Sequence, residues 1–277
     1  MINQLIKARR RLSCRRKALD ITPNMNNHRF LFIGGLHRSG TSFVHRLLRE
    51  HIDVSGFVDT GVPEDEGQHI QTVFDAAYKL GGPGGFAYRT ESHLTEGSAL
   101  ATAENRDKLL REWGAWYDLE KQLLLEKSPP NLVRARFFQS MFPSSSFLFI
   151  VRHPISVALA TRKWNDSSLM ELLLHWQVAY SILLEDLPFL KNALVLRYED
   201  IVRSPEHNLG KICNLASLDN FTPKEGIEDR NVGYFKEWTE DYSEKFTALD
   251  RVFSGPLGPL EKYGYSFNEP FVIKPEI

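Results

Sequence analysis

Short apolar runs alternate with stretches of helical period along most of the chain. Phe30-Leu31-Phe32-Ile33 is continuously apolar and stops at Gly34-Gly35, the pattern of a strand buried on both faces. From Thr41 to His51, residues Phe43, Val44, Leu47 and Leu48 share one helical face. Leu123-Leu124-Leu125 predicts a second strand, stopped by Ser128-Pro129-Pro130, with a helix over Leu132 to Met141. Phe147 to Val151 predicts a third strand, followed by a helix over Ile155 to Arg162 and a longer one over Leu169 to Leu187. Ala193 to Leu196 is the fourth. Ser204-Pro205-Glu206 then reads as an N-cap followed by proline at the first helical position.

Strand–helix alternation calls for a parallel sheet, because parallel strands need crossovers and helices supply them. The expected class is α/β: a P-loop-like parallel β-sheet flanked by helices on both faces, filling residues 29–277. Residues 52–122 interrupt the alternation with helical stretches around a Gly81-Gly82-Pro83-Gly84-Gly85 loop. They read as a helical and loop insertion at the strand C-terminal edge, on the acceptor side, where substrate loops belong. Residues 220–277 are rich in turns and aromatics and carry little periodicity.

Composition narrows the function classes. The 277 residues carry a formal net charge of −1, so no whole-protein basic field supports nucleic-acid binding. Two cysteines, Cys14 and Cys213, make no disulfide framework and fit a reducing, cytoplasmic setting. No apolar run approaches the roughly 20 residues of a membrane span. Residues 1–28 form a basic N-terminal extension, with Lys7, Arg9, Arg10, Arg11, Arg15, Arg16 and Lys17 all preceding the first acid. Such a run is usually solvated surface; its functional reading is weak contact with a membrane surface or an acidic partner.

The loop after the first strand carries the chemistry. Gly35-Leu36-His37-Arg38-Ser39-Gly40-Thr41-Ser42 has phosphate-loop spacing, except that Thr41 replaces the lysine that reaches a terminal phosphate. Glycines that let amides converge on a helix N-terminus still describe an anion site. The third strand ends in Arg152-His153-Pro154 rather than in a magnesium-holding acid, which suits another phosphate. Arg38, Lys127, Arg152 and Arg197 all follow strand ends, and ligands of open α/β sheets bind outside those ends. Together they predict a pocket for a polyanion.

These residues resemble a family. Gly35 to Ser42 is similar to the 5′-phosphosulfate loop of sulfotransferases that use 3′-phosphoadenylyl sulfate (PAPS). Val151-Arg152-His153-Pro154 resembles their 3′-phosphate motif, and Glu126-Lys127-Ser128-Pro129 and Leu196-Arg197-Tyr198-Glu199-Asp200 resemble further blocks of the bacterial and tyrosylprotein-type branch. The likeness runs over about residues 29–216, with a similar Gly258-Pro259-Leu260 … Gly264-Tyr265 ending. It implies sulfuryl transfer from PAPS to an acceptor hydroxyl by in-line displacement, with adenosine 3′,5′-bisphosphate (PAP) as product and no metal. It further implies Glu66 as general base, with Glu64 in reserve, and Arg38 and Lys127 as the charge-neutralising groups. Arg38, Ser39, Gly40, Thr41, Ser42, Arg152 and Tyr198 are the implied donor contacts. The serine usual eight positions after the arginine of the 3′-phosphate motif is Ala160 here, so Thr161 or Ser156 stands in as hydroxyl donor. A carbohydrate, a peptide tyrosine and a glycolipid all offer the required hydroxyl.

Weaker signals stay open. His37 suits contact with donor or acceptor, or serves as a spacer. The histidines lack metal-ligand spacing. Trp113 and Trp116, at i and i+3, fit packing first and an acceptor platform second. The alternatives are a small-molecule or nucleotide kinase of the phosphate-loop class, which Thr41 opposes, and a non-catalytic nucleotide-binding module.

Overall fold

In the computed structural model, which describes residues 25, 27–224, 228–253 and 258–274, the apolar runs form one five-stranded sheet. Strands β1 (Arg29–Gly34), β2 (Val54–Gly56), β3 (Leu123–Lys127), β4 (Ser146–Val151) and β5 (Ala193–Arg197) are ordered β2-β3-β1-β4-β5. Every neighbouring pair is parallel, with Phe32 beside Glu126 on one side and Phe147 on the other. All strand C-termini therefore lie along one edge. The four anticipated strands are present; β2, an edge strand of three residues, is too short to have produced a pattern. The basic run before residue 25 lies outside the described residues.

Period-two alternation divides the strand side chains between two cores. Leu31, Ile33, Leu125, Leu148 and Ile150 face helices α1 (Thr41–Leu48), α6 (Tyr198–Arg203) and α7 (Pro205–Ala216) through Val44, Leu48, Ile201, Leu209 and Ile212. Phe30, Phe32, Leu124, Phe147 and Phe149 face the other side. There they meet α2 (Ala103–Gly114), α3 (Ala135–Met141), α4 (Pro154–Arg162) and α5 (Leu169–Asp186). The second core is aromatic: the Phe32 ring stacks on Phe138 at 4.4 Å and lies 5.7 Å from the rings of Phe30 and Phe147.

The helical pattern over Leu132–Met141 divides in two, a 3-10 segment over Pro129–Val133 and then α3, because successive prolines remove the amides that an α-turn needs. Ser204 precedes α7 with proline at its start, yet its side chain makes no capping hydrogen bond. The 52–122 insertion holds β2, a chain of 3-10 turns between Pro63 and Ser92, and α2. The Gly81–Gly85 stretch forms part of those turns, with Gly82 and Gly84 buried, so it is a packed connector rather than a lid. The remaining helices are α8 (Val232–Asp241), α9 (Leu249–Phe253) and α10 (Pro259–Lys262). Among the described residues no helix is long and apolar enough to cross a membrane.

Removing Phe32, which is fully buried, leaves a cavity among five rings. Phe32→Ala should lower unfolding free energy by about 4 kcal/mol. Phe189→Ala, at a residue 57% exposed, should cost under about 1 kcal/mol. Denaturant titration of the two variants checks the contrast.

Candidate active site

The loop from β1 to α1 crosses the C-terminal edge of the sheet. Gly40 has φ of +104° and a Cβ there would lie 2.8 Å from the Tyr198 ring, so only glycine fits at this turn. No side chain caps α1, which leaves its first-turn amides open to an anion. Gly40, Thr41 and Ser42 line a cleft of about 330 Å³ together with Arg38, Arg152 and Tyr198. Ser39 is buried beneath the loop, its amide donating to the Leu36 carbonyl at 3.0 Å.

Arg152, first after β4, is buried and held on three sides. Its Nε donates to Asn231 Oδ1 at 2.7 Å, its Nη1 donates to the Arg38 carbonyl at 2.9 Å, and the guanidinium lies 4.3 Å from the Tyr198 ring centroid. Asn231 in turn donates to Glu199, which also accepts from the His153 amide and the Tyr265 hydroxyl. Nη2 of Arg152 is left buried with no partner, an orphaned cationic donor in a residue of the cleft wall. Such a group suits an anion. Arg38, by contrast, places its guanidinium 3.2 Å from the Trp164 ring centroid. Ser156 and Thr161 are buried, their hydroxyls also lack a protein partner, and neither lines the cleft.

The end of β3 organises the opposite wall. Lys127 is fully buried, and its ammonium donates to Glu66 Oε1 at 3.0 Å and to the Glu64 carbonyl at 3.1 Å. Gln68 donates to the other Glu66 oxygen at 2.5 Å. Glu126 accepts from the Gly67 amide at 2.9 Å, the Gln68 amide donates to Ser128, and Trp113 Nε1 donates to the Gly67 carbonyl. A Cβ on Gly67 would lie 2.5 Å from Glu126, so glycine permits this approach. Glu64 and Asp65 both have positive φ, 52° and 49°, a strained pair of the kind that persists where contacts over-determine it. Glu66 presents a buried carboxylate held at both oxygens, whereas the Glu64 side chain is exposed.

A second cavity, of about 1020 Å³, adjoins the first, and His37, Glu64, Glu66 and Trp164 line both. The structure thus brings together Arg38, Gly40, Thr41, Ser42, Arg152, Tyr198 and Glu66, with Lys127 immediately behind Glu66. It does not bring Arg197 to them. That guanidinium is paired with Asp200 and donates to the carbonyls of Tyr263 and Lys274, so it clamps the C-terminal segment; of the four strand-end cations Arg38 and Arg152 line the cleft, beside Arg46 and Arg230, and Lys127 lies behind Glu66. Trp113 is buried packing and not a platform. Sequence reasoning missed Gln68, Trp164, Arg230 and Asn231, of which the last two lie in the tail where periodicity is silent.

A model of the Sulfotransferase family matches residues 31–223. The chain belongs to the sulfotransferase family. Among solved structures, the sulfotransferase STF1 from Mycobacterium tuberculosis is 14% identical over 73% of this chain and 71% of its own, with a TM-score of 0.51. A sulfotransferase from Alicyclobacillus acidocaldarius is 18% identical over 80% of this chain and 94% of its own, with a TM-score of 0.46. Identities this low speak to fold alone. No curated protein sequence matches. This sulfotransferase completes its cleft from outside the matched region, since Arg230 lines it and Asn231 and Tyr265 hold Arg152 and Glu199.

Buried histidines make this sulfotransferase acid-sensitive. Burial, with nearby cations, lowers the pKa values of His37, His45 and His153 to about 3, and burial alone lowers His175 to about 4. The unfolded chain binds protons near pH 6.5 that the native state refuses, so these groups stabilise fully above about 6.5 and less as pH falls toward 3. Glu126 acts in the opposite sense: burial raises it to about 7, and its contribution is present at low pH and lost as pH rises through 7. Burial raises Glu199 as well, and the four histidines outweigh the two carboxylates. Urea midpoints measured at pH 7.5, 6 and 5 should fall steadily, and His45→Gln should flatten the trend.

Proposed function

We propose that this sulfotransferase moves a sulfuryl group from PAPS to an acceptor hydroxyl, with Glu66 as general base. The observation that carries the reading is the orphaned Nη2 of buried Arg152, in a cleft that also holds the uncapped start of α1. Two anion-seeking features in one cleft suit a donor with separated anionic groups. Bound there, the donor supplies an activated sulfuryl group whose leaving oxygen belongs to a phosphate.

Arg152 binds the 3′-phosphate, and the amides of Gly40, Thr41 and Ser42 hold the 5′-phosphosulfate, while Ser39, its amide already given to the Leu36 carbonyl, supports the loop from beneath. Tyr198, packed against both Gly40 and Arg152, borders the ribose or adenine. Thr161, buried off the cleft wall, is the hydroxyl nearest in sequence to Ala160 for a supporting contact. Arg38 turns its guanidinium from Trp164 toward charge developing on the bridging oxygen, where fixed charge contributes most to catalysis. Glu66 takes the acceptor proton. Lys127 aims that carboxylate through its hydrogen bond and adds positive charge behind the transferring group. The cavity shared across His37, Glu64, Glu66 and Trp164 supplies the place where acceptor and donor meet in line.

Calorimetric titration with PAP tests the donor. Micromolar binding without magnesium is expected, weakened about 30-fold or more in Arg152→Ala, because a buried charge-assisted contact is lost. Absence of PAP binding, or tighter magnesium-dependent binding of ATP, would falsify the reading. Glu66→Gln should retain PAP affinity within about twofold and lose about 10²–10⁴ in sulfuryl transfer, measured as radiolabel leaving PAPS.

A further inference from the structure

The larger cavity has one-sided polar chemistry. Gln71 spends its side chain on the carbonyls of Gln68 and Phe74 and on the amides of Val73 and Phe74. Gln68 is spent on Glu66 and the Ala77 amide, and the Thr72 hydroxyl donates to Glu112. These amide and hydroxyl groups are therefore committed within the wall. Its acceptor capacity lies in carboxylates: Glu64, exposed at the junction with the donor cleft, and Asp75, which uses one oxygen on Lys79 at 2.7 Å.

The charges show the same bias. Lys79 offsets Asp75, Lys127 offsets Glu66, and His37 and His69 have pKa values lowered chiefly by burial, so both are neutral at pH 7. Among the described lining residues Glu64 remains, with the Arg38 guanidinium within electrostatic reach of it and stacked on Trp164. An anionic acceptor would enter against Glu64 and against the donor's own charge, and juxtaposed like charges select strongly against such a partner. Two aromatic faces complete the wall. Tyr78 stays 66% exposed while stacked on His69, and Trp164 stays 49% exposed beside Arg38.

We infer that this cavity takes an uncharged sugar, whose hydroxyls donate to Glu64 and Asp75 while an apolar ring face lies on Tyr78 or Trp164. The inference rests on the PAPS reading above. In the transfer, the sugar oxygen forms a bond to sulfur as the bond from sulfur to the bridging oxygen breaks. PAP leaves with that electron pair, and the hydroxyl proton passes to the Glu66 carboxylate. Glu64 is then the residue that excludes anionic acceptors.

Two probes of one scaffold test this, p-nitrophenyl β-glucoside and p-nitrophenyl β-glucuronide, each with radiolabelled PAPS. The glucoside should accept label at least about tenfold faster than the glucuronide, the scale of one unfavourable charge contact. Glu64→Gln should narrow that ratio and Glu64→Lys should narrow it further or invert it. Transfer to the glucuronide at an equal or greater rate, or a ratio unmoved by Glu64→Lys, overturns the assignment. Transfer to an acidic tyrosine peptide in preference to the glucoside also overturns it, as does no transfer to the glucoside by protein that binds PAP. Loss of PAP binding itself counts against the donor reading instead.

Discussion

A single buried ammonium organises the reacting side of this protein. Lys127 ends β3 with no exposed surface, and taking such a charge out of water costs several kcal/mol unless partners replace the water. The partners come from one turn: the Glu66 carboxylate and the Glu64 carbonyl. That turn cannot relax away without stranding the charge. The constraint accounts for two consecutive non-glycine residues at positive φ, Glu64 and Asp65, a conformation that costs on the order of 1 kcal/mol or more at each position. Glu126, Ser128 and Trp113 reinforce it through the backbone of Gly67 and Gln68. The carboxylate of Glu66, the base in the proposed mechanism, is thus fixed to the sheet itself, although it belongs to an irregular insertion.

The donor side is held by a different device. Arg152 is positioned by Asn231, which is positioned by Glu199, and Glu199 is held by Tyr265 and the His153 amide. Two of those groups lie in the last 50 residues of the chain, beyond the family match. Arg197 supports the same arrangement from below by clamping the carbonyls of Tyr263 and Lys274. The tail is therefore part of the cleft's construction, and its stability and the orientation of Arg152 are coupled.

Most of the scaffold was legible because it depends on short-range pattern. Buried parallel strands must be continuously apolar, and Phe30–Ile33 and Phe147–Val151 declare themselves on that ground. The loop Gly35–Ser42 was legible because amide convergence needs glycines at fixed offsets. Val54–Gly56 was not, since three residues at an edge carry no period. Arg197 shows the limit of counting charges at strand ends: sequence places a cation at the edge, but whether it faces a ligand or a carbonyl depends on what the tail brings to it. Asn231 and Trp164 were illegible for the same reason. Their roles come from contacts more than 75 residues away in one case, and in the other from a stack on Arg38 across more than 120.

The two walls divide charge in a way that bears on transfer. Cationic and amide groups gather around Arg38, Arg152 and the start of α1, while the carboxylates of Glu64 and Glu66 lie at the junction with the larger cavity, where the proposed mechanism brings the hydroxyl. During in-line transfer negative charge moves from the attacking oxygen toward the leaving oxygen, and a proton must leave on the side where the attack begins. A field that is positive behind the leaving group and negative beside the nucleophile favours both movements, and it is in place before any ligand enters. Lys127 lies at the boundary, paired to the base and one layer behind it. Because it is sealed from solvent, its charge acts across the junction with little screening. The sheet edge thereby supplies an oriented electrostatic gradient, built from three strand ends and one strained turn, and the neutral His37 beside it leaves that gradient undisturbed across the physiological pH range.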